Sequence, residues 1–512
     1  MHTEHTLPTH WTSTFVQLGQ ASASTFGGSN QLDPIPIAMI QVHIPTYQNI
    51  VERGDAYKKY TAFDIHVNGT FHASVRYSHL CTLHEKLIEN FGFRFVGPEF
   101  PPKKMWRSLD AKALNERREG LAKYFQGLIQ INDIARHHIL ERGFLEFQVN
   151  YFQPTYQTIS IEIYLPDGSP VKLDCYADDA TNVVQHKLCR SLGVGDKFAE
   201  CFGLFLARDR EVPEDKPRKT SVFNIVVVRW LKNFESPFIS QAIANKHIED
   251  DSKKLKIVIR RITWDPTVEE PLLEDPGALK LLYLQALNDL HHKYIDLSTE
   301  DRRELLRYSE NEDFSSFVRA CHRFPSYGYE ILDDVDSDYP SENTKCMLKV
   351  GRRMLVLQYT HEGMLMQSLL RSTRIRTWKI SHTADVIARP QTTFQIEYVL
   401  GSGVDIITFY TPQAVLISLC LQSIADEILR DQRSESPTYK FDDTIQTKVV
   451  ENLRRVEAES TNGEGSSSDS TTHTGKDSNS NFALKNPLFT IVSYTMPFEP
   501  EESFADLCDA DL

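Results

Sequence analysis

"TAFDIHVNGTFHASVRYSHL", residues 61–80, decides the fold of the first domain. Phe63, Ile65 and Val67 alternate with polar residues, the period-two pattern of a strand with one buried face. Asn68-Gly69 suits a tight hairpin turn, and residues 71–77 return as the second arm. Beyond it the period lengthens: Leu80, Leu83, Leu87 and Ile88 have helical spacing. Arg76, Tyr77 and Ser78 therefore stand at a strand-to-helix junction, where side chains commonly serve ligands. Taken in isolation, the junction is more simply read as an exposed arginine beside a half-buried tyrosine. The rest of the chain has to choose.

A chain of 512 residues has room for three or four domains at ~150 residues each. Apolar content of 41% and aromatic content of 10% are globular values. No apolar run approaches the ~18 residues of a membrane-spanning helix, and the polar N-terminus lacks the apolar core of a signal peptide. The eight cysteines form no CxxC pair and show no regular spacing, and several lie within apolar patterns as buried thiols do, which fits a reducing, cytosolic setting. A net charge of −14 argues against bulk nucleic-acid binding. That charge is uneven. Residues 38–150 carry 15 Lys+Arg against 12 Asp+Glu, whereas residues 434–512 carry 6 against 15.

Residues 1–37, rich in Ser, Thr, Gly and Gln, read as a disordered extension. Residues 38–150 read as the strand-then-helix domain. A second hairpin opens at 159, with "ISIEIYL" and "SPVKLDCYA" about an Asp-Gly turn; a helix over 179–192 and strands near 202–207, 222–230 and 256–262 follow. That order predicts a ubiquitin-like roll over 155–268. Residues 269–345 read as a small helical domain, with proline opening "PGALKLLYLQALNDLHHKY" and Ser298–Asp301 at capping-box spacing. Residues 346–433 read as antiparallel strands closed by the helix of "TPQAVLISLCLQSIADEILR", a pleckstrin- or phosphotyrosine-binding-like lobe. Residues 434–512 begin as a flexible linker and end in an aromatic, acidic segment.

Two further stretches complete the opening motif. "PEFPPKKMW", residues 98–106, is a proline-stiffened loop carrying Lys103, Met105 and Trp106; "ERREGLAKYFQGLI", residues 116–129, is a helix with Arg117 and Arg118 one turn before Leu121. Guanidinium forks bind phosphate bidentately, lysine adds a point charge, and a tyrosine face covers a sugar ring. Together, in this order, RYS, FPPKK and RR-x-x-L-x-x-Y resemble the PX domain, a phosphoinositide-binding module. The resemblance implies that Arg76 grips a 3-phosphate, with Ser78 also bonding it, and that Tyr77 stacks under the inositol. It further implies that Lys103 meets the 1-phosphate, that Arg117 (or its neighbour Arg118) binds the 4- and 5-hydroxyls, and that Met105 and Trp106 wedge into the bilayer. Simple packing beneath the proline loop is the alternative for those two apolar residues. The expected ligand is phosphatidylinositol 3-phosphate on the cytoplasmic face of early endosomes.

Ubiquitin-like, helical and phosphotyrosine-binding-like lobes in succession resemble a FERM module, and PX followed by FERM is similar to the sorting nexin 17 group of endosomal cargo adaptors. "LPDG", "ITWD", "LLYLQAL" and the terminal "SFADLCDADL" support that likeness over nearly the whole chain. It implies an α+β multidomain adaptor, not an enzyme, that needs no cofactor or metal. It also implies that the last lobe binds receptor tails bearing Asn-Pro-x-Tyr or Asn-x-x-Tyr by strand addition, with Trp378 packing on the peptide and Ile407 lining the next pocket. Both residues also fit an ordinary core. Asp511 and Leu512 would be read by the retriever complex, returning cargo to the plasma membrane. The same lobes also fit a signalling scaffold that joins membrane to cytoskeleton or to a small GTPase, but such a scaffold needs no complete 3-phosphate pocket. One motif is legible without any family: "NPLF", with Asn486, Pro487 and Phe489, is itself an Asn-Pro-x-aromatic sequence able to dock near Trp378, or else an incidental turn.

Overall fold

The computed structural model describes residues 15–16, 39–52, 55–103, 110–210, 223–383, 391–400, 403–434, 491–492 and 494–495. A short strand, β1 (Phe15–Val16), precedes the first domain. There β2 (Val42–His43), β3 (Tyr47–Glu52) and β5 (Thr70–Arg76) all pair with the long β4 (Asp55–Val67). Asn68 and Gly69 adopt φ of 51° and 79°, the left-handed pair that a two-residue hairpin needs. The arms are not in simple register. His66 pairs with Phe71 but Ile65 with Ala73, leaving His72 as an extra residue, a β-bulge. The His72 ring is buried, its Nε2 2.8 Å from the Phe144 carbonyl and its edge against Phe234. Helices α1 (Tyr77–Phe91), α2 (Ala111–Leu128), α3 (Asn132–Ala135) and α4 (His138–Phe152) enclose a core of Phe63, Leu80, Leu121, Phe125 and Phe144.

The ubiquitin-like lobe holds β6 (Thr158–Tyr164), β7 (Pro170–Tyr176), α5 (Thr181–Ser191), β8 (Phe202–Asp209), β9 (Ile225–Trp230), α6 (Pro237–Asn245) and β10 (Lys256–Arg261). Its sheet runs β7-β6-β10-β8-β9, with β10 parallel to β6. This lobe is fastened to the first domain. Phe234 enters that domain's core, the Ser236 amide donates to Gln148 Oε1 at 2.8 Å, and Gln148 Nε2 donates to Ser240 at 2.9 Å.

The helical lobe comprises α7 (Pro266–Glu269), α8 (Pro276–His291), α9 (Thr299–Glu310) and α10 (Phe314–His322). Pro276 opens α8, and Ser298 and Asp301 form the expected capping box of α9. Buried Glu269 ties the lobes together, accepting from Arg261 (3.0 Å), Thr263 Oγ1 (2.8 Å) and the Tyr327 hydroxyl (2.6 Å), with His322 Nε2 at 3.0 Å. Burial pushes its carboxyl upward, but the Arg261 charge and these bonds outweigh that and hold it at about 2.

In the last lobe β11 (Tyr329–Ser337) leads β12 (Thr344–Gly351), β13 (Met354–His361), β14 (Met364–Arg371), β15 (Ile375–Thr383), β16 (Gln391–Leu400) and β17 (Gly403–Tyr410), and α11 (Ala414–Ser434) closes it. The sheet begins at Tyr329, ahead of the expected 346, because "YEILDDVDS" hides its strand period behind a register shift between Leu332 and Val335. Two short strands from the tail, β18 (Ile491–Val492) and β19 (Tyr494–Thr495), complete the described elements. Among the described residues no helix is long and apolar enough to cross a membrane.

Candidate functional site

The bulge at His72 fixes where Arg76 points. It brings Arg76 opposite Ala62, so the arginine shares a sheet face with Tyr60, two residues away on β4. The guanidinium carbon of Arg76 lies 3.3 Å from the centre of the Tyr60 ring. Arg76 is also the N-cap of α1, which has no capping side chain and no acidic residue in its first turn. Tyr77 and exposed Ser78 fill that turn. Its amides and the positive end of the helix dipole thus suit an anion.

From the other side comes α2, whose N-terminus is capped by Asp110 through the Ala113 amide at 2.8 Å. Arg117 is buried with its guanidinium 4.4 Å over the Tyr77 ring, and its Nη2 has no hydrogen-bond partner among the described residues. A buried guanidinium nitrogen left open costs on the order of 1–3 kcal/mol unless a ligand meets it. Arg118 is used elsewhere: its Nη1 donates to the Ile44 carbonyl at 3.0 Å. The geometry therefore separates the arginine doublet.

The proline loop is seated on α2. A Cβ on Gly120 or Gly127 would come within 2.8 Å of Pro101 or 2.9 Å of Pro98, so these two glycines, two turns apart, admit the loop. The Tyr77 hydroxyl donates to the Pro101 carbonyl at 2.7 Å. Phe100 stacks on His84 at 4.5 Å, and His84 Nδ1 is 2.7 Å from the Tyr124 hydroxyl. Burial lowers the His84 imidazole below its ordinary range and raises the Tyr77 phenol, so both are neutral at pH 7. This aromatic stack presents exposed Lys103 beside the start of α1, close enough to bear on the Cys81 thiol. Met105 and Trp106 lie outside the described residues. Sequence reading missed Tyr60 and His84, since neither stands in the quoted motifs.

The second candidate region is β15. Trp378 pairs with Ile396 and Ile396 with Ile407, so the three make one row across β15, β16 and β17. Each is at most 2% exposed, and Trp378 Nε1 donates to Ser418 Oγ on α11 at 2.9 Å. The expected surface contact of the Trp378 ring thus differs from its place. The ring and Ile407 set the floor between strand and helix, and the sheet edge is backbone. That edge is in use: Thr377 pairs with Thr495, and Trp378 with Tyr494, antiparallel. Asn486, Pro487, Phe489, Asp511 and Leu512 lie outside the described residues.

Comparison with known proteins fits this division. Family profiles match as the PX domain over residues 63–148, the F1 lobe of the sorting nexin 17/27/31 FERM domain over 159–264, and the sorting nexin 17 FERM C-terminal domain over 328–429. Sorting nexin-17 of Mus musculus is 30% identical over 383 residues, 72% of this chain and 78% of that protein. The chain belongs to the PX-FERM sorting nexins. The Rattus norvegicus sorting nexin-17 is 29% identical over 78% of this chain and 83% of its own length. Sorting nexin-31 of Mus musculus is 25% identical over 75% and 85%. Sorting nexins are an adaptor and lipid-binding family, not an enzyme family.

Proposed function

We propose that this sorting nexin is an endosomal cargo adaptor, held on the cytoplasmic face of early endosomes by phosphatidylinositol 3-phosphate. The observation that carries this reading is the open Nη2 of buried Arg117, whose guanidinium lies over the ring of Tyr77, the first residue of the uncapped helix α1. In the proposed complex Arg76, Ser78 and the first-turn amides of α1 hold the 3-phosphate, and Tyr77 lies under the inositol. Arg117 binds the 4- and 5-hydroxyls, Lys103 meets the 1-phosphate, and Met105 and Trp106 enter the bilayer. Sedimentation with vesicles containing phosphatidylinositol 3-phosphate, against vesicles of phosphatidylinositol alone, tests it. Equal binding to both would remove the 3-phosphate from the reading.

Cargo is proposed to bind by adding an Asn-Pro-x-Tyr or Asn-x-x-Tyr strand to β15, over the floor made by Trp378 and Ile407. The pairing of Thr495 and Tyr494 with that same edge supports a competing role for the tail, with Asn486-Pro487-x-Phe489 a few residues upstream. Cargo would displace the tail and release its end, Asp511 and Leu512, to the retriever complex for return to the plasma membrane. Calorimetry with a receptor-tail peptide checks this: deleting residues 481–512 should raise peptide affinity and abolish retriever capture. Unchanged peptide affinity would end the competition idea.

A further inference from the structure

Of residues 1–37 the structure describes one element, and that element pairs with the tail. Strand β1 runs parallel to β18, Phe15 opposite Ile491 and Val16 opposite Val492. One residue beyond β18 comes β19, which pairs with Thr377 and Trp378 of β15. The tail is therefore held at two adjoining points by two different parts of the chain. The β1–β18 pair is a separate two-stranded sheet, so β1 takes up backbone groups of the tail just before the strand that is added to β15.

We propose that the N-terminal extension is a strap that retains the tail on the cargo edge. Both pairings are two residues long, and β1–β18, a lone pair of strands, is marginal in water by itself. Joined through the same tail segment, the two pairings act as a bivalent hold, each raising the effective concentration of the other. The connection is long enough. Residues 17–38 separate β1 from the first described residue of the PX domain, and a chain of that length reaches up to roughly 70 Å when extended. In this proposal the strap does not itself contact cargo. It acts only while the tail is docked, so it rests on the tail-competition reading above.

That dependence gives the test. In the full chain, deleting residues 1–37 should raise affinity for an Asn-Pro-x-Tyr peptide about threefold, and deleting 481–512 should raise it about tenfold. Deleting both should give no more than the tail deletion alone. Phe15→Pro with Val16→Pro should reproduce the N-terminal deletion, since proline has no amide hydrogen to donate. Conversely, Val16→Cys with Val492→Cys, oxidised, should weaken peptide binding, and reductant should restore it. If the N-terminal deletion raises affinity equally in the tail-less chain, the extension acts on the lobe directly and the strap is wrong. An unchanged affinity on deleting 1–37, where the tail deletion does raise it, overturns the strap alone. If deleting 481–512 alters neither peptide affinity nor hydrogen exchange at Thr377 and Trp378, the tail reading falls and takes the strap with it.

Discussion

At Arg76 and Arg117 the chain offers side chains, whereas at Thr377 and Trp378 it offers main chain. The proposed lipid pocket gathers two guanidinium groups and a tyrosine ring from β5, α1 and α2, with a lysine from the proline loop. The proposed cargo edge turns its largest side chain inward, to Ser418, and leaves backbone groups to be read. A side-chain pocket selects one head group through fixed charges. A backbone edge accepts any extended segment, the chain's own tail included, and must draw its selectivity from neighbouring pockets. The contrast makes single substitutions informative, because the two regions should fail separately.

The largest effect is expected at Trp378. Trp378→Ala removes a fully buried ring and its bond to Ser418, a loss of ~3–5 kcal/mol in such cores. Peptide binding should vanish and the last lobe should melt earlier, while sedimentation with phosphatidylinositol 3-phosphate vesicles stays intact. Loss of both activities would show that the regions do not fail separately.

Acid should break the comparison from the other end. Burial pushes the His72 imidazole down to about 4, outweighing its bond to the Phe144 carbonyl. Unfolded, the same group takes a proton near 6.5, so the unfolded chain binds more protons between those values. Its contribution is complete above pH 6.5 and is lost as pH falls toward 4, up to roughly 3 kcal/mol at ~1.4 per unit. Neighbouring His66 is lowered to about 4 by the same cause, and both lie in the PX sheet. Hydrogen exchange should therefore quicken in β5 and α4 before β16 and β17 as pH drops. Simultaneous loss would place the acid-sensitive step elsewhere.

These residues also mark what the sequence conveys. The Asn68-Gly69 turn, the strand-to-helix junction and the proline loop are local, and their chemistry can be read in order. His72 is different. Its bulge goes with a ring packed on Phe234, 162 positions later, and no local pattern announces it. Counting back from the turn without the bulge would set Val75, not Arg76, opposite Ala62. Trp378 and Ile407 show the converse difficulty, because an alternating strand gives the spacing of its faces but not which face α11 will cover. The tail pairing is still less legible, since an edge asks only for an extended partner.

Arg76→Ala comes next in size. A charge-assisted pair to phosphate is worth about 1.5–3 kcal/mol, so binding to 3-phosphate vesicles should drop at least tenfold with peptide affinity unaltered. Unchanged sedimentation would empty the proposed pocket.

The smallest expected effect belongs to Tyr60, and it tests whether the pocket is held ready before its ligand arrives. Its ring lies under the Arg76 guanidinium at 3.3 Å, a contact worth ~0.5–1 kcal/mol at an exposed site and about 2 when water is excluded. The proposed complex assigns Tyr60 no contact with the head group; its part is to orient Arg76, which has one. Tyr60→Ala should thus weaken soluble inositol 1,3-bisphosphate binding by two- to thirty-fold. Tyr60→Phe keeps the ring face and should bind as the parent does, which separates stacking from any role of the hydroxyl. Peptide affinity and the melting of the last lobe should not move in either variant. If Tyr60→Ala binds the head group normally, Arg76 is positioned by the helix start alone, and the bulge serves the seam with the ubiquitin-like lobe rather than the pocket.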